Sequence, residues 1–579
     1  MDYDLIIRGG NIADGSGDAI FEGDVAVKDG KIVVVGQVSG TATEEVDAKG
    51  MLVTPGFVDI HTHYDGQATW EERLVPSSWH GVTTTAFGNC GVGFAPVREQ
   101  DRQSLIDLME GVEEIPGSAL HEGLKWDWES FPDYLDALDR RRHDMDLCAQ
   151  LPHAALRVFV MGERALKLED ANEDDIAAMR VLAGEAMKAG GFGFTTSRSL
   201  NHMTVQGDPT PTLRAREEEL TGIAMGLKDA GSGVIQMIGE FAADDRDEEI
   251  AMWQRIMRVS GRPLSITVTQ RHRDPEGWRD VMAGIDDAVA EGLEMRAQIA
   301  PRSIGAMYGL SLSQHAFYLH PSYQAIADKP LEEKVAIMRD PEFRVKLLAE
   351  KPVHRSERLI QRTANFQFTF RLGDPPDYEP SEERSVLNLA KQAGRDPLDF
   401  MYDLLLENDG KSFLFSPNTN YASYNLDACH EMITHPRSCL GLSDGGAHVG
   451  HISDSGYPTF VLTHWGRDRA TGRIDLPWLV RWITSATAEA IGLHDRGRLV
   501  PGYRADINII DYDKLGQSYP YLTYDLPKGG RRFMQKGEGY KATYLGGVAT
   551  YLDGESTGAL PGKLVRGPQT ASSLETAAE

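Results

Sequence analysis

The middle of this chain repeats one pattern, in which a short apolar run is followed by a stretch with the residue spacing of an amphipathic helix. Helical spacing is clearest within 172–190, where Ile176, Met179 and Leu182 share one face. Buried strands that alternate with helices are typical of α/β folds with a parallel sheet. Eight such units predict a (β/α)8 barrel, and the eight apolar runs lie at 56–63, 81–90, 148–156, 191–197, 233–240, 263–270, 295–301 and 439–445.

Both ends of the chain have the texture of hairpin-rich β structure. Apolar and polar residues alternate over 3–50, with Gly, Asn and Asp between the short runs, and the pattern returns at 504–513 and 541–555. The two ends are therefore predicted to form one small β-sandwich domain, from residues 1–55 and 490–565.

The remaining residues are assigned to three parts. The barrel is predicted at 56–489, and between its seventh and eighth strands lies an insertion at 302–438 that is rich in aromatic residues, His and Pro. Loops that follow barrel strands lie on the catalytic face, so we expect the insertion to form a lid that selects the substrate. Residues 566–579 are predicted to be a disordered tail.

Charge and cysteine content exclude several classes of protein. The chain has 59 Lys and Arg against 87 Asp and Glu, a net charge of −28 at pH 7, which opposes binding to nucleic acid and to anionic membranes. Its four scattered cysteines do not form a disulfide framework or a CxxC cluster, and they indicate a reducing compartment. The sequence shows neither a signal-peptide pattern nor a run near the roughly 18 apolar residues of a membrane span. We expect a soluble cytoplasmic homo-oligomer that binds a small-molecule substrate.

Two histidines lie at the end of the first apolar run, in the sequence VDIHTHYD. His61 and His63 are two residues apart, and side chains at that spacing in a strand point to the same side. Both imidazoles can then bind one divalent metal ion, and the alternative is a pair of core or surface histidines. Because catalytic residues of barrels lie at the carboxyl ends of the strands, this position favours the metal site.

A carboxylate lies near the end of the eighth apolar run and is predicted to follow the eighth strand, in the sequence LGLSDGGAH. Asp444 is expected across the barrel mouth from the first strand, near His61 and His63. A carboxylate that contacts a metal and accepts a proton from water suits hydrolysis. On its own an Asp before Gly445 is more typical of a turn, but beside two histidines it indicates a catalytic group.

Several of these segments resemble the amidohydrolase superfamily over nearly the whole chain: the N-terminal β segment, PGFVDIHTH, the SDG of the eighth run, and GRLVPGYRADINIID at 497–511. GVTTTAFGNCGVGFAPV at 81–97, with HTHYD before it and LPHAALR after it, resembles the N-acyl-D-amino-acid deacylase branch. In that branch the cysteine of GNCG is a metal ligand, which implies the same role for Cys90. A thiolate is a strong zinc ligand, and the alternative is a small buried apolar side chain.

The sequence departs from that branch on two strands. The branch has metal-binding histidines at the ends of the fifth and sixth strands, where this sequence has QMI at 236–238 and VTQ at 268–270. Alternatively, Glu240 and His272 reach the site from slightly later positions and hold a second ion. We favour a single divalent ion, Zn²⁺, held by His61, His63, Cys90 and Asp444.

Two further histidines are expected close to the metal. The resemblance implies this position for His448, in SDGGAH, and for His153, in LPHAAL, with His451 as a further candidate. Either of the first two would donate a hydrogen bond to the developing oxyanion or orient a metal ligand. The alternative for His153 is a core histidine with satisfied hydrogen bonds.

Three arginines follow barrel strands and are predicted to face the same mouth. Arg198, Arg271 and Arg302 follow the fourth, sixth and seventh strands. A guanidinium binds a carboxylate through two parallel hydrogen bonds, so one of them is expected to hold the free acid group of an N-acyl amino acid. The alternative is an ion pair with Glu240, Asp274 or another acid of the loops.

These residues predict a metal-dependent hydrolase that cleaves an amide C–N bond, and the resemblance implies an N-acyl-(D-)amino acid as substrate. Asp444 would take a proton from water and later pass it to the leaving amine. Because the fifth and sixth strands differ, a cyclic amide, a lactone or another carbonyl compound is an alternative substrate. A non-catalytic relative that only binds a small molecule is the alternative from another class.

Overall fold

Eight strands, all paired in parallel, lie within or overlap the eight apolar runs. The computed structural model describes residues 1–354 and 357–571. We number the eight strands in chain order, with Leu151–Pro152 continuing the third strand: Phe57–Asp59, Val82–Phe87, Asp146–Ala149, Gly193–Arg198, Val234–Gly239, Leu264–Val268, Met295–Ile299 and Ser438–Leu440. The first three form one sheet, and Leu151–Pro152 with the fourth to eighth form another, so the predicted mixed α/β class is confirmed.

Hydrogen bonds also join the first and eighth strands just beyond their ends. Thr62 and Gly445 form a parallel bridge, and the N–H of Asp444 donates to the carbonyl oxygen of His61 at 3.1 Å. Every residue of the second strand is buried, as expected for a parallel sheet that is covered on both faces. The carboxyl ends of these strands carry the residues of the candidate site.

Helices follow most of the eight strands, and the longest begins where the sequence predicts it. The side chain of Asn172 accepts a hydrogen bond from the N–H of Asp175 at 2.9 Å, and Asp175 in turn accepts from the N–H of Asn172, which forms a capping box. The main helices of this region are Arg102–Glu113, Gly117–Gly123, Phe131–Asp139, His153–Met161, Glu173–Lys188, Glu217–Ala230, Arg246–Ser260, Gly277–Ala290, Leu476–Ile483 and Ser485–Ala490.

A nine-stranded sheet takes its strands from both ends of the described chain. Val53 of the N-terminal part lies opposite Ile509 of the C-terminal part in an antiparallel pairing. Apolar residues of both parts share one buried core, which includes Ile7, Val25 and Tyr544. The strands are Tyr3–Ile12, Phe21–Lys28, Lys31–Gly36, Ala42–Asp47, Leu52–Pro55, Ile507–Ile510, Tyr540–Leu545, Val548–Leu552 and Glu555–Ser556.

The segment between the seventh and eighth strands has a hydrophobic core of its own. Phe317, Tyr402, Leu404 and Leu414 are buried in it, so most of the aromatic residues noted in the sequence pack within the segment. Its antiparallel sheet contains Gly305–Tyr308, Leu414–Pro417 and Phe370–Arg371. Its helices are Pro321–Gln324, Leu331–Met338, Pro341–Ala349, Glu357–Thr363, Val386–Gln392, Pro397–Gly410 and Asp427–Thr434.

The C-terminal segment is described as far as residue 571. A disordered tail was predicted at 566–579. Within it, Gln569–Thr570 pairs with Leu493–His494, so this short stretch is ordered. Residues 572–579 lie outside the described residues. None of the helices in the described ranges has the length and apolar character needed to cross a membrane.

Candidate metal centre

The loop after the first strand fixes the two predicted histidines. The N–H of His61 donates to Asp59 Oδ1 at 3.2 Å, and Asp59 Oδ2 accepts a hydrogen bond from the hydroxyl of Ser443. The N–H of His63 donates to the carbonyl oxygen of Gly445 at 2.8 Å. Both imidazoles are buried, and their ring centroids lie 5.7 Å apart. The first and eighth strands thus hold the two histidines against the segment that carries Asp444.

Four predicted ligands converge at this point. Cys90 Sγ lies 3.4 Å from His61 Nε2, and Asp444 Oδ1 lies 3.6 Å from His61 Nε2 and 3.7 Å from His63 Nε2. Within the described ranges, His61, His63 and Cys90 are the one group of three or more potential ligands whose donor atoms all lie within 4.8 Å of one another. The predicted HxH, GNCG and SDG segments therefore meet in space.

Strained backbone carries two of these ligands. Cys90 has φ of 55° and Asp444 has φ of 49°, in the left-handed region that residues other than glycine seldom adopt. The Cys90 turn is held by the amide of Asn89, which donates to the carbonyl oxygens of Thr62 at 3.2 Å and Ala86 at 3.0 Å. The fold therefore fixes the direction of the thiol by hydrogen bonds.

An oxygen atom lies near the second ring nitrogen of each histidine. His61 Nδ1 lies 2.8 Å from Gln298 Oε1, and because an amide oxygen only accepts, Nδ1 carries the proton and Nε2 is free to bind a metal. His63 Nδ1 lies 3.4 Å from Glu113 Oε1. Gln298 on the seventh strand and Glu113 at the end of a helix were not predicted from the sequence.

The donor set fits a divalent ion. For Zn–N and Zn–S bonds near 2.0 and 2.3 Å, tetrahedral ligands lie about 3.3–3.7 Å apart, close to the separations given above. Asp444 Oδ1 is buried and lacks a hydrogen-bond partner within the part of the chain that the structure describes, which leaves this oxygen available to a cation. Two imidazoles, a thiol and a carboxylate are ligands that zinc commonly takes.

Burial and neighbouring charge determine the protonation of this cluster. Burial raises the pKa of Asp444 to about 7, raises that of the Cys90 thiol well above its ordinary value and lowers that of His61 to about 4. A bound cation would favour the thiolate and the carboxylate. His448 is different: burial disfavours its charge, but the carboxylates of Glu114, Glu113 and Asp444 raise its pKa to about 9.

His448 lies beside the cluster, as expected. Its Nε2 lies 3.6 Å from Glu113 Oε2 and 4.0 Å from Asp444 Oδ2, and its Nδ1 lies 3.7 Å from Glu114 Oε2. His451 Nδ1 lies 2.5 Å from the same Glu114 oxygen. The imidazolium of His448 therefore lies between Asp444 and two further acids, Glu113 and Glu114.

The fifth and sixth strands carry uncharged side chains where metal-binding histidines were considered. Gln236 is paired in register with Ser265 and is 1% exposed, and among the described residues neither of its amide atoms has a hydrogen-bond partner. Glu240 binds Arg271 and Ser199, and the His272 ring packs at 4.2 Å from the Phe368 ring. Glu240 and His272 thus form other contacts, and neither belongs to the three-residue cluster.

The three predicted substrate-binding arginines are engaged within the chain. Arg198 Nε lies 3.1 Å from Glu249 Oε1, and Arg271 pairs with Glu240, as the alternative interpretation predicted. Arg302 is fully buried and pairs with Asp454 at 2.9 Å. The rings of three aromatic residues also cover its guanidinium. Arg302 therefore cannot reach a substrate, which corrects the expectation that it binds the substrate carboxylate.

His153 also requires a correction. Its Nε2 lies 2.9 Å from Glu219 Oε1, and its Nδ1 lies 2.8 Å from Thr196 Oγ1. Because both ring nitrogens are used, neither is available to an oxyanion, and His153 is a core histidine with satisfied hydrogen bonds.

The chain is similar to known proteins over nearly its whole length. A sequence model of the "Amidohydrolase family" matches residues 44–551. D-aminoacylase from Alcaligenes xylosoxydans xylosoxydans is 26% identical over 97% of each chain. N-acyl-D-aspartate deacylase from the same organism is 25% identical over 97% of this chain and 95% of its own.

Two solved structures share the fold. A D-aminoacylase matches with a TM-score of 0.65 at 22% identity, over 97% of this chain and 100% of its own. N-acyl-D-glutamate deacylase from Bordetella bronchiseptica matches with a TM-score of 0.62 at 20% identity, over 98% of this chain and 100% of its own.

We predict that Gln298→Leu weakens zinc binding by about 10- to 100-fold, because His61 then loses the acceptor that fixes its tautomer. Gln298→Glu keeps an acceptor and should bind zinc nearly as well as the wild type. Competition with a chelating dye measures the affinities, and Gln103→Leu, at an exposed helix position, is the control. Equal affinity of Gln298→Leu and the wild type would contradict the assignment.

Proposed function

Because this chain belongs to the amidohydrolase family, and is therefore a metal-dependent hydrolase of carbon–nitrogen bonds other than peptide bonds, we propose that it deacylates N-acyl amino acids. The convergence of His61, His63, Cys90 and Asp444 in one buried cluster carries this proposal. Two imidazoles and a thiol are ligands, and the carboxylate between them is a base. A protein that only binds a small molecule would not require this combination.

The metal would be held by His61, His63 and Cys90, with Asp444 at its edge. When bound, a divalent ion supplies a Lewis acid and favours deprotonation of a nearby water. Gln298 orients the His61 imidazole through a hydrogen bond, and Glu113 Oε1 lies 3.4 Å from His63 Nδ1. Zn²⁺ is the ion that we propose for this set of nitrogen, sulfur and oxygen ligands.

Asp444 is proposed to act first as base and then as acid. It accepts a proton from the attacking water as the new C–O bond forms and the carbonyl π electrons move to oxygen. When the tetrahedral intermediate collapses, the C–N bond breaks and Asp444 returns the proton to the leaving nitrogen. The products are a carboxylic acid and an amine. The imidazolium of His448, 4.0 Å from Asp444 Oδ2, favours the charged form of the base.

A single ion is proposed, although the similar D-aminoacylase is described as having a binuclear metal centre with one-metal activation and second-metal attenuation. Gln236 on the fifth strand and Ser265 and Thr267 on the sixth are neutral and poor ligands for zinc. Glu240 already balances the charge of Arg271. These residues support one ion at the first and eighth strands.

The fold itself is proposed to be a (β/α)8 barrel beside a small β-sandwich domain. The Thr62–Gly445 bridge supports closure of the two parallel sheets into one barrel at 56–489. The nine-stranded sheet supports a domain formed from 1–55 and 490–565. The insertion at 302–438 is proposed to cover the mouth, since it follows the carboxyl end of the seventh strand.

The substrate is proposed to be an N-acyl-D-amino acid, on the basis of the activities for which the similar proteins are named. One observation favours a second candidate, a neutral amide such as a cyclic amide. Arg198, Arg271 and Arg302 all pair with acids of this chain, so none is left as an unpaired clamp for a substrate carboxylate.

A matched substrate pair separates these candidates. With one zinc ion bound per chain, the first candidate predicts that N-acetyl-D-amino acids are hydrolysed with a kcat/KM at least about 10-fold above that of their neutral carboxamides, a difference of about 1.4 kcal/mol in transition-state stabilisation. N-acetyl-L-amino acids and a cyclic imide complete the panel. A preference for the neutral compounds would instead select the second candidate.

Replacement of the proposed base tests the chemical step. Asp444→Asn should lower kcat by about 10²- to 10⁴-fold, because the amide cannot accept the proton. Zinc content by mass spectrometry should stay near the wild-type value, since His61, His63 and Cys90 remain. Asp174→Asn, at an exposed helix position, serves as control. A variant of Asp444 with near-normal turnover would rule out this mechanism.

A further inference from the structure

A histidine that the sequence analysis did not consider lies on the loop after the fourth strand. Ser197 Oγ and His202 Nδ1 lie 2.8 Å apart, and Ser197 is the next-to-last residue of that strand. Thr195, two residues earlier and thus on the same face, donates its hydroxyl to Gly88 and accepts the N–H of Gly91 at 3.2 Å. That face is therefore the one turned toward the Cys90 turn.

The Cys90 turn and the end of the fourth strand are in close contact. A Cβ atom on Gly91 would lie 3.1 Å from the backbone nitrogen of Ser197, a tight contact, and its φ of 69° also favours glycine at this position. Since Cys90 precedes Gly91 and His202 is hydrogen-bonded to Ser197, the Cys90 turn and the His202 loop both contact the end of the fourth strand. The His202 loop is fixed by the N–H of Thr210, which donates to the carbonyl oxygen of His202 at 2.9 Å.

The hydrogen bonds determine which nitrogen of His202 carries the proton. Ser197 Oγ accepts the N–H of Ser199 at 3.1 Å, so its own proton is free to be donated. Within the described residues, His202 Nδ1 is the acceptor within reach of that hydroxyl. With the Ser197 hydroxyl as donor, Nδ1 accepts, and the neutral ring carries its proton on Nε2, on the side away from Ser197.

The surroundings keep this imidazole neutral. Burial, with the charges of His448 and His61, lowers the pKa of His202 to about 4, and Glu240 opposes the shift only in part. The charge of His202 in turn lowers the pKa of His63. His202 therefore lies within electrostatic reach of His61, His63 and His448, and at neutral pH it is an uncharged hydrogen-bond donor.

We propose that His202 is a catalytic residue whose Nε2–H donates a hydrogen bond to the carbonyl oxygen of the scissile amide. This rests on the proposed amide hydrolysis. The bond strengthens as negative charge develops on that oxygen, so His202 provides the contact that was expected of His153. Ser197 is the positioning residue, because it directs Nε2 toward the substrate. His448 faces Glu113, Glu114 and Asp444 instead.

The first test is kinetic, with the N-acetyl-D-amino acid that the wild type hydrolyses fastest. His202→Ala should lower kcat by about 10²- to 10³-fold, with KM changed less than about 3-fold, because the contact strengthens in the transition state. His202→Gln keeps an N–H donor and should recover at least about 10-fold of the loss. Zinc per chain should equal that of the wild type, and His121→Ala, at an exposed helix position, is the control.

The second test does not depend on turnover. Long-range ¹H–¹⁵N spectra of zinc-loaded protein, with the His202 signal assigned by its loss in His202→Gln, should show a neutral ring protonated on Nε2 between pH 6 and 8. Ser197→Ala should remove this preference and lower kcat by about 10-fold. A charged ring or one protonated on Nδ1 would overturn the proposal, as would full activity of His202→Ala. A wild type that hydrolyses no amide would refute the proposed function, while the spectra still decide the state of His202.

Discussion

The link between the first and eighth strands is the constraint on which the site depends. Beyond the strand ends, Asp444 donates to the His61 carbonyl oxygen and His63 donates to that of Gly445, while Asp59 holds Ser443. These bonds bring the two imidazoles and the carboxylate to 3.6–3.7 Å. Polar groups this deeply buried are costly unless they are compensated, and a cation compensates all of them at once. The same contacts that join the ends of the first and eighth strands therefore create a site for a metal.

Much of this arrangement follows from sequence because strand geometry is local. His61 and His63 are two residues apart, and Asp444 and Cys90 lie at the ends of apolar runs, so a parallel α/β fold brings all four to one edge. Gln298 could not be found in this way. It is 237 residues from His61, and its role depends on register and rotamer. The arginines were ambiguous for a similar reason, since the partners that occupy Arg198, Arg271 and Arg302 become evident only in the folded chain.

The site combines a charged half with a neutral half. On the side of the first and eighth strands lie His63 and the ionisable groups Asp444, Glu113 and His448, with His448 Nε2 3.6 Å from Glu113 Oε2 and 4.0 Å from Asp444 Oδ2. On the fourth to sixth strands lie the uncharged side chains of Ser197, Gln236 and Ser265, of which Ser197 forms a hydrogen bond to His202. This division suits chemistry in which one ion and one base activate water while neutral donors receive the developing oxyanion. The net charge of −28 concerns the approach of substrates and is largely screened beyond about 8 Å at physiological salt.

The central claim is that a single zinc ion is bound by imidazole nitrogens and the thiolate of Cys90. X-ray absorption spectroscopy of the zinc-loaded protein tests it most directly. The account predicts one sulfur near 2.3 Å, nitrogen or oxygen ligands near 2.0–2.1 Å and no metal neighbour at about 3.5–4 Å. The sulfur contribution should disappear in Cys90→Ser. A wild-type spectrum without sulfur, or with a second metal at that distance, would contradict the account.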